Sequence, residues 1–368
     1  MRLSLRFLIV LTLTIGLGVP PAAVAKGSQK AQAGAPTGCT VQSYSYDSGG
    51  SAGTGVVNDP LFAKQWGLTQ IHAPTAWQRG AKGAGATIAV VDTGVDLSHP
   101  DLGSHLVSGT DLQAGQSDCP PGPQDENGHG THVAGIAAAV TNNGIGVAGT
   151  APDAKILPVR VLDASGSGDI DTIVAGIKYA ADHGARVINL SLGEMEVVGQ
   201  LQALNQDIED AVNYAWGKGA LVIGAAGNDS FPLCSYPSAA ERAICVGATD
   251  RRGLPSFYSN FPNNPHGTGS IGVRAPGGFG SVFCEDDEDI WSTMWPGSDF
   301  DCGDINGYDT LAGTSMATPF VSGVAAVLFG QGLNNQQVLD KLKTTSSNHG
   351  SYDPVNGYGV VDADAATR

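Results

Sequence analysis

Four polar residues stand where apolar runs begin or end, and together their types supply what acyl transfer needs. Asp92 ends the run in Val90-Val91-Asp92-Thr93-Gly94, placing an acid at the edge where open parallel sheets form their ligand sites. His129 opens His129-Gly130-Thr131-His132-Val133-Ala134-Gly135, whose helical pattern continues to Val140, so an imidazole stands at a helix entrance. Ser315 lies in Gly313-Thr314-Ser315-Met316-Ala317-Thr318-Pro319, ahead of the apolar helical stretch Phe320 to Phe329. The partial positive charge at such a start favours a developing anion, and a backbone N–H there can bind an oxyanion. Asn228 follows Leu221-Val222-Ile223-Gly224-Ala225-Ala226-Gly227, where a side-chain amide can donate to the same oxyanion. Singly these are bland: a turn acid, a packed histidine, a helix cap and a turn asparagine. Jointly they read as orienter (Asp92), base (His129), oxyanion donor (Asn228) and nucleophile (Ser315).

Two rival chemistries use parts of the same set. Asp-Thr-Gly could belong to an aspartic protease, which needs two such loops sharing a proton. The other candidate, Asp47-Ser48-Gly49, lies in a Ser/Gly-rich stretch with no flanking strand. His129 and His132 could ligate zinc, but the glutamate of an HExxH motif is missing and no third ligand is evident.

The elements that must position these residues are apolar runs alternating with helical patterns. Thr87 to Val91, Lys155 to Leu162, Arg186 to Leu192 and Ala220 to Ala225 read as buried strands. Asp169 to His183 reads as a helix with Ile170, Ile173, Val174, Ile177 and Ala181 on one face and Asp169 as its cap. This alternation predicts an α/β fold, a three-layer, doubly wound, mostly parallel sheet in a single domain.

Ahead of that domain, residues 1–25 carry Arg2 and Arg6, an apolar stretch from Phe7 to Val19 and Ala23-Val24-Ala25, the pattern of a cleaved signal peptide. Secretion and no stable membrane association are therefore expected. Residues 26–57 are rich in Gly, Ser, Ala and Thr and read as a flexible extension, leaving 58–368 for the catalytic domain. With 35 acidic against 19 basic residues the net charge is −16, which disfavours a nucleic-acid partner. The 52 glycines, about twice the usual share of roughly 7%, follow no collagen repeat and imply many tight turns. Six cysteines in an exported chain favour disulfides. All 15 pairings stay open. Cys234 with Cys245 and Cys284 with Cys302 would each close a short local loop, leaving Cys39 with Cys119.

In the order Asp, His, Ser, these motifs resemble the subtilisin-like serine proteases from about Asn58 to about Ala366. Asn58-Asp59-Pro60, Val140-Thr141-Asn142-Asn143 and Val161-Leu162-Asp163-Ala164-Ser165-Gly166-Ser167-Gly168 are similar to the thermitase branch. The resemblance implies an endopeptidase acting as a monomer on protein or peptide substrates. Ser191-Leu192-Gly193 would pair with an extended substrate backbone, and Ala225-Ala226-Gly227 would wall a pocket for a large apolar or aromatic side chain. Glu194, in place of the usual glycine, and Ser235 at the pocket's far end depart from the pattern. A structural calcium ion is also implied, held by the side chains of Asp59, Asp101 and Asn143 and the carbonyls of Val140, Ile145 and Val147. The family's long folded prosegment is missing from the reading, since only residues 26–57 would be available for it. The acidic run Glu285-Asp286-Asp287-Glu288-Asp289, between Cys284 and Cys302, reads as a solvated, disulfide-pinned insertion. A non-enzymatic scaffold of the same fold is the alternative, disfavoured by the intact catalytic set.

Overall fold

The computed structural model describes residues 44–50, 57–113, 122–193, 202–263, 271–280, 288–300, 302 and 305–368. Its frame is a seven-stranded sheet formed by β1 (Thr87–Asp92), β2 (Thr110–Asp111), β3 (Lys155–Arg160), β4 (Val187–Leu190), β5 (Leu221–Ala225), β6 (Ile244–Thr249) and β7 (Ile271–Pro276). The strand order is β2-β3-β1-β4-β5-β6-β7, parallel throughout, and the register sets Asp92 opposite Arg160. A separate antiparallel ribbon joins β8 (Ile290–Thr293) to β9 (Tyr308–Leu311). The helices are α1 (Trp66–Gln70), α2 (Ala73–Gln78), α3 (His129–Ala138), α4 (Ile170–Asp182), α5 (Gln202–Gly217), α6 (Thr314–Gly330), α7 (Asn335–Thr345) and α8 (Ala363–Ala366).

β1 shows why the expected three layers form. Ile88 and Val90 join the core beneath α3 and α6, whereas Ala89 and Val91 join a second core with Ile177 of α4 and Ala211 of α5. A strand buried on both faces needs apolar side chains at every position, hence its unbroken apolar run. α6 is buried along nearly its whole length and crosses the centre of the first core. The expected helix at 169–183 is α4, and Asp169 caps it by accepting from Thr172 N at 2.8 Å.

The expected disulfide between Cys234 and Cys245 is present and ties β6 to the preceding loop. Cys302 is also disulfide-bonded, while Cys39, Cys119 and Cys284 lie outside the described residues, as do Glu194, residues 285–287 of the acidic run and the signal segment. Residues 44–50, part of the stretch whose composition suggests flexibility, are docked on the body. Tyr44 packs edge-on against Trp295, and Tyr46 packs against His99 while its hydroxyl donates to Asp96 at 2.7 Å. Asp47 N donates to the Asn306 carbonyl at 2.9 Å, and the Ser48 carbonyl accepts from Gly146 N at 2.8 Å. Two tyrosines in a Ser/Gly-rich background supply the anchoring that average composition hides.

Candidate active site

The catalytic candidates form two pairs, Asp92 with His129 where β1 ends and α3 begins, and Ser315 with Asn228 at the start of α6. Asp92, the last residue of β1, is fully buried. His129, the first residue of α3, keeps 22% of its side chain exposed. Its Nδ1 lies 2.8 Å from Asp92 Oδ1, so a proton there donates to the carboxylate and leaves Nε2 free to accept. Burial alone would lower the imidazole's affinity for a proton. The charge of Asp92, its hydrogen bond and the charge of Asp125 outweigh that cost and leave the His129 pKa raised. The approach is close because position 130 is glycine: a Cβ there would come within 2.0 Å of the Gly94 carbonyl oxygen and 3.2 Å of Asp92 Cβ.

Ser315 is the second residue of α6, where backbone N–H groups lack helical acceptors. Its hydroxyl donates to the Ser191 carbonyl at 3.0 Å, and the Ser191 hydroxyl donates back to the Ser315 carbonyl at 2.7 Å. Ser315 and the predicted substrate strand are thus fastened together. Asn228 is oriented by Thr314, whose N–H and hydroxyl both donate to Asn228 Oδ1, at 2.9 and 3.0 Å. This fixes the amide so that Nδ2 is the end left over. A Cβ placed on Gly313 would lie 3.5 Å from Asn228 Nδ2 and 3.6 Å from Ser315 N, so the two donors border one volume. Such a pair of fixed donors suits a developing oxyanion.

The predicted pocket residues adjoin this centre. Ala225 and Ala226 are buried, Leu192 is part-buried and Gly193 is exposed. A Cβ on Gly193 would meet the Tyr236 carbonyl at 2.9 Å, so the 191–193 segment faces the chain next to Ser235. Ser235 N donates to the Ala226 carbonyl at 2.9 Å, which brings Ser235 against the Ala225-Ala226-Gly227 wall.

His132 does not join His129. Its ring is buried, Nε2 faces the Asp309 carbonyl at 3.2 Å, and burial pushes its pKa down to about 3. The second histidine is a neutral core residue, which removes the zinc pair. Among the described residues no three His, Cys, Asp or Glu side chains gather for a metal ion.

The residues expected to hold calcium do come together, as an oxygen-rich loop of a different make-up. Asp59 and Asp101 are buried carboxylates. Asp59 accepts from the N–H groups of Asn142, Asn143 and Gly144, while Asp101 accepts from Asn143 Nδ2 at 2.6 Å and Val147 N at 2.9 Å. Burial, with Asp59 nearby, pushes Asp101 up to about 7, and burial also raises Asp59. Among the described residues no Lys, Arg or His pairs with either acid, and no donor reaches the carbonyls of Val140, Ile145 or Val147. Two buried carboxylates, an amide and unengaged carbonyls make a hard-oxygen donor set that fits calcium.

Sequence reasoning passed over three supporting residues. Thr314 orients Asn228, as above. Asn260 ties down the loop around Asn228, accepting from Asp229 N and Phe231 N at 2.9 Å each and donating to the Ala226 carbonyl at 3.0 Å. Asp125 sits beneath the start of α3. Thr314 lies within the motif that carries Ser315, which was the available signal; Asp125, four residues ahead of the His129 motif, and Asn260 offer none.

A model of the Subtilase family matches residues 83–361 of the chain. The chain is 45% identical over 311 residues to thermitase of Thermoactinomyces vulgaris, covering 83% of this chain and 98% of that protein. To subtilisin Savinase of Lederbergia lenta it is 39% identical over 305 residues, with 82% and 98% covered. A solved protease from Pseudoalteromonas arctica superimposes with a TM-score of 0.71 at 32% identity, over 85% of this chain and 99% of that one.

Proposed function

The chain belongs to the subtilase family and is a serine endopeptidase, and from that premise we propose that Asp92, His129, Ser315 and Asn228 are its catalytic machinery. The 2.8 Å bond between His129 Nδ1 and Asp92 Oδ1 carries this reading. With Nδ1 held as the donor, Nε2 takes the proton of Ser315 as the hydroxyl oxygen attacks a peptide carbonyl, and Asp92 stabilises the imidazolium. Asn228 Nδ2 and Ser315 N hold the tetrahedral oxyanion. His129 then gives its proton to the leaving amine, and water repeats the sequence on the acyl-enzyme.

Ser191-Leu192-Gly193 pairs with the substrate backbone, an interaction that leaves sequence selectivity to the pocket. A substrate N–H that takes the Ser191 carbonyl frees the Ser315 hydroxyl to turn to the imidazole. Small residues at Ala225, Ala226 and Gly227 leave room for an apolar or aromatic side chain, with Ser235 at its far end. Calcium, when bound, is held by Asp59, Asp101, Asn143 and the carbonyls of Val140, Ile145 and Val147, and supplies charge to a loop rather than chemistry to the site. The enzyme acts outside the cell after loss of residues 1–25, as a monomer on protein and peptide substrates. Among the described residues no helix is long and apolar enough to cross a membrane.

An activated ester substrate tests the mechanism. The account expects a burst of one equivalent of leaving group per enzyme, followed by slower steady release, with the burst abolished in Ser315→Ala. A burst that survives in Ser315→Ala would contradict it.

A further inference from the structure

Asp125 is fully buried four residues before His129, and the triad mechanism makes no use of it. It accepts five hydrogen bonds. Thr93 Oγ1, Asn127 N and Gly128 N donate to Oδ1 at 2.9, 3.0 and 3.0 Å, while Thr131 N and Thr131 Oγ1 donate to Oδ2 at 2.9 and 2.6 Å. Each of the two hydroxyls also accepts a backbone N–H, Gly130 N to Thr93 Oγ1 and Asp96 N to Thr131 Oγ1, both at 2.9 Å, so each bridges the backbone to Asp125. Three of the five donors are backbone N–H groups, which can only donate, and they favour the carboxylate form. Burial pushes its pKa up and these bonds pull it back, so the charged form, where present, is held by the donors at a desolvation cost.

The same bonds tie together the neighbours of the catalytic pair. Thr93 adjoins Asp92 in the chain, Gly130 adjoins His129, and the Thr93 hydroxyl links Gly130 N to Asp125. We propose that Asp125 is a positioning residue for catalysis: a second buried carboxylate that locks the start of α3 to the end of β1, fixing His129 on Asp92, and that shares in stabilising the imidazolium. The assignment rests on the reading of His129 as the general base. Its charge acts alongside Asp92, the direct partner, and raises the His129 pKa.

The other charged or titratable groups around this centre are few. His132 on α3 is neutral, and Asp309 on β9 has its carbonyl 3.2 Å from the His132 ring. Asp96 follows β1, and Arg160 at the end of β3 pairs with Glu126 at 2.7 Å and Asp111 at 3.6 Å. α6 carries no charged residue. Asp125→Asn leaves all of these in place while removing one charge and forcing an amide N–H against existing donors.

The test is the pH profile of kcat/KM for the purified enzyme on a peptide substrate. For Asp125→Asn the expected result is a fall in kcat of about 10- to 100-fold with KM little changed. The acid limb should also move to lower pH by about half a unit or more, since losing the negative charge makes His129 easier to deprotonate. A parent acid limb in the folded variant, whatever its turnover, would overturn the proposal. Should Asp125→Asn fail to fold, Thr93→Val and Thr93→Ser decide. A lower kcat in the valine variant, rescued by serine, supports the linkage, and equal kcat in the two overturns it. His129→Ala, run in parallel, separates the two claims: parent turnover there overturns the triad itself, whereas an inactive His129→Ala beside an unperturbed Asp125→Asn overturns only the role of Asp125.

Discussion

Two pairs of buried carboxylates, Asp92 with Asp125 at the catalytic sheet edge and Asp59 with Asp101 in the oxygen-rich loop, are compensated in opposite ways. At the sheet edge, an imidazole faces Asp92 and five donors from the end of β1, the loop before α3 and the start of α3 surround Asp125. In the loop, backbone N–H groups, the Asn143 amide and the Tyr308 hydroxyl face the two acids with no cation among the described residues, and Asp101 is pushed up to about 7. The first pair is met by an imidazole and by donors built into the fold, although burial raises the pKa of Asp125 too. The second is short of positive charge until a cation arrives. On the proposed reading, similar burial would serve catalysis in one place and ion capture in the other, and the difference lies in what surrounds the carboxylates.

The sharpest way to separate the two regions is to damage one and measure both. Asn228→Ala should lower kcat by about 100- to 1,000-fold with melting temperature nearly unchanged, since it removes an oxyanion donor and leaves both acid pairs alone. Unchanged turnover would remove Asn228 from the site. Calcium removal should do the reverse. In Ser315→Ala protein, used to prevent self-digestion, excess chelator should lower the melting temperature by roughly 4 °C, as expected for losing about 2.7 kcal/mol from a site filled at a hundred times its Kd in a domain of this size. An unchanged melting temperature would contradict a calcium site in this loop.

A smaller effect should appear in the pH dependence of the calcium-free protein. Asp101 has a folded-state pKa of about 7 against an ordinary 3.8, so the folded state keeps a proton that the unfolded state releases. Its contribution is fully present below the ordinary value and is lost as pH rises through about 7. Melting temperature without calcium should therefore fall across this range more than with calcium bound, where both acids stay ionised. Equal slopes with and without the ion would show that Asp101 does not titrate there.

Much of the sheet was legible because doubly buried strands are mostly apolar, as β5 and the interiors of β1 and β3 are, with β4 interrupted only at the buried Asn189. β7 was not, since its middle holds the buried Arg274, whose guanidinium donates to the Ala248 and Val355 carbonyls and breaks the apolar pattern. The ribbon was hidden for a related reason. Ser292 and Thr293 are buried by donating to the His132 and Thr131 carbonyls of α3, at 2.7 Å each, so polar residues pack as core. The four catalytic candidates were readable from motif and context. Asp125 was not singled out, because an acid in Asp125-Glu126-Asn127-Gly128 looks like a turn, and only the folded arrangement reveals its five donors. Tyr44 and Tyr46 were likewise lost in the average of a Ser/Gly-rich stretch.

The central claim, that Ser315 is a nucleophile activated by His129 and Asp92, is tested most directly by intact mass after treatment with a fluorophosphonate probe. The account predicts a single adduct on the parent enzyme, none on Ser315→Ala, and strongly slowed labelling of His129→Ala. Labelling that persists in Ser315→Ala, or that is indifferent to the loss of His129, would contradict it.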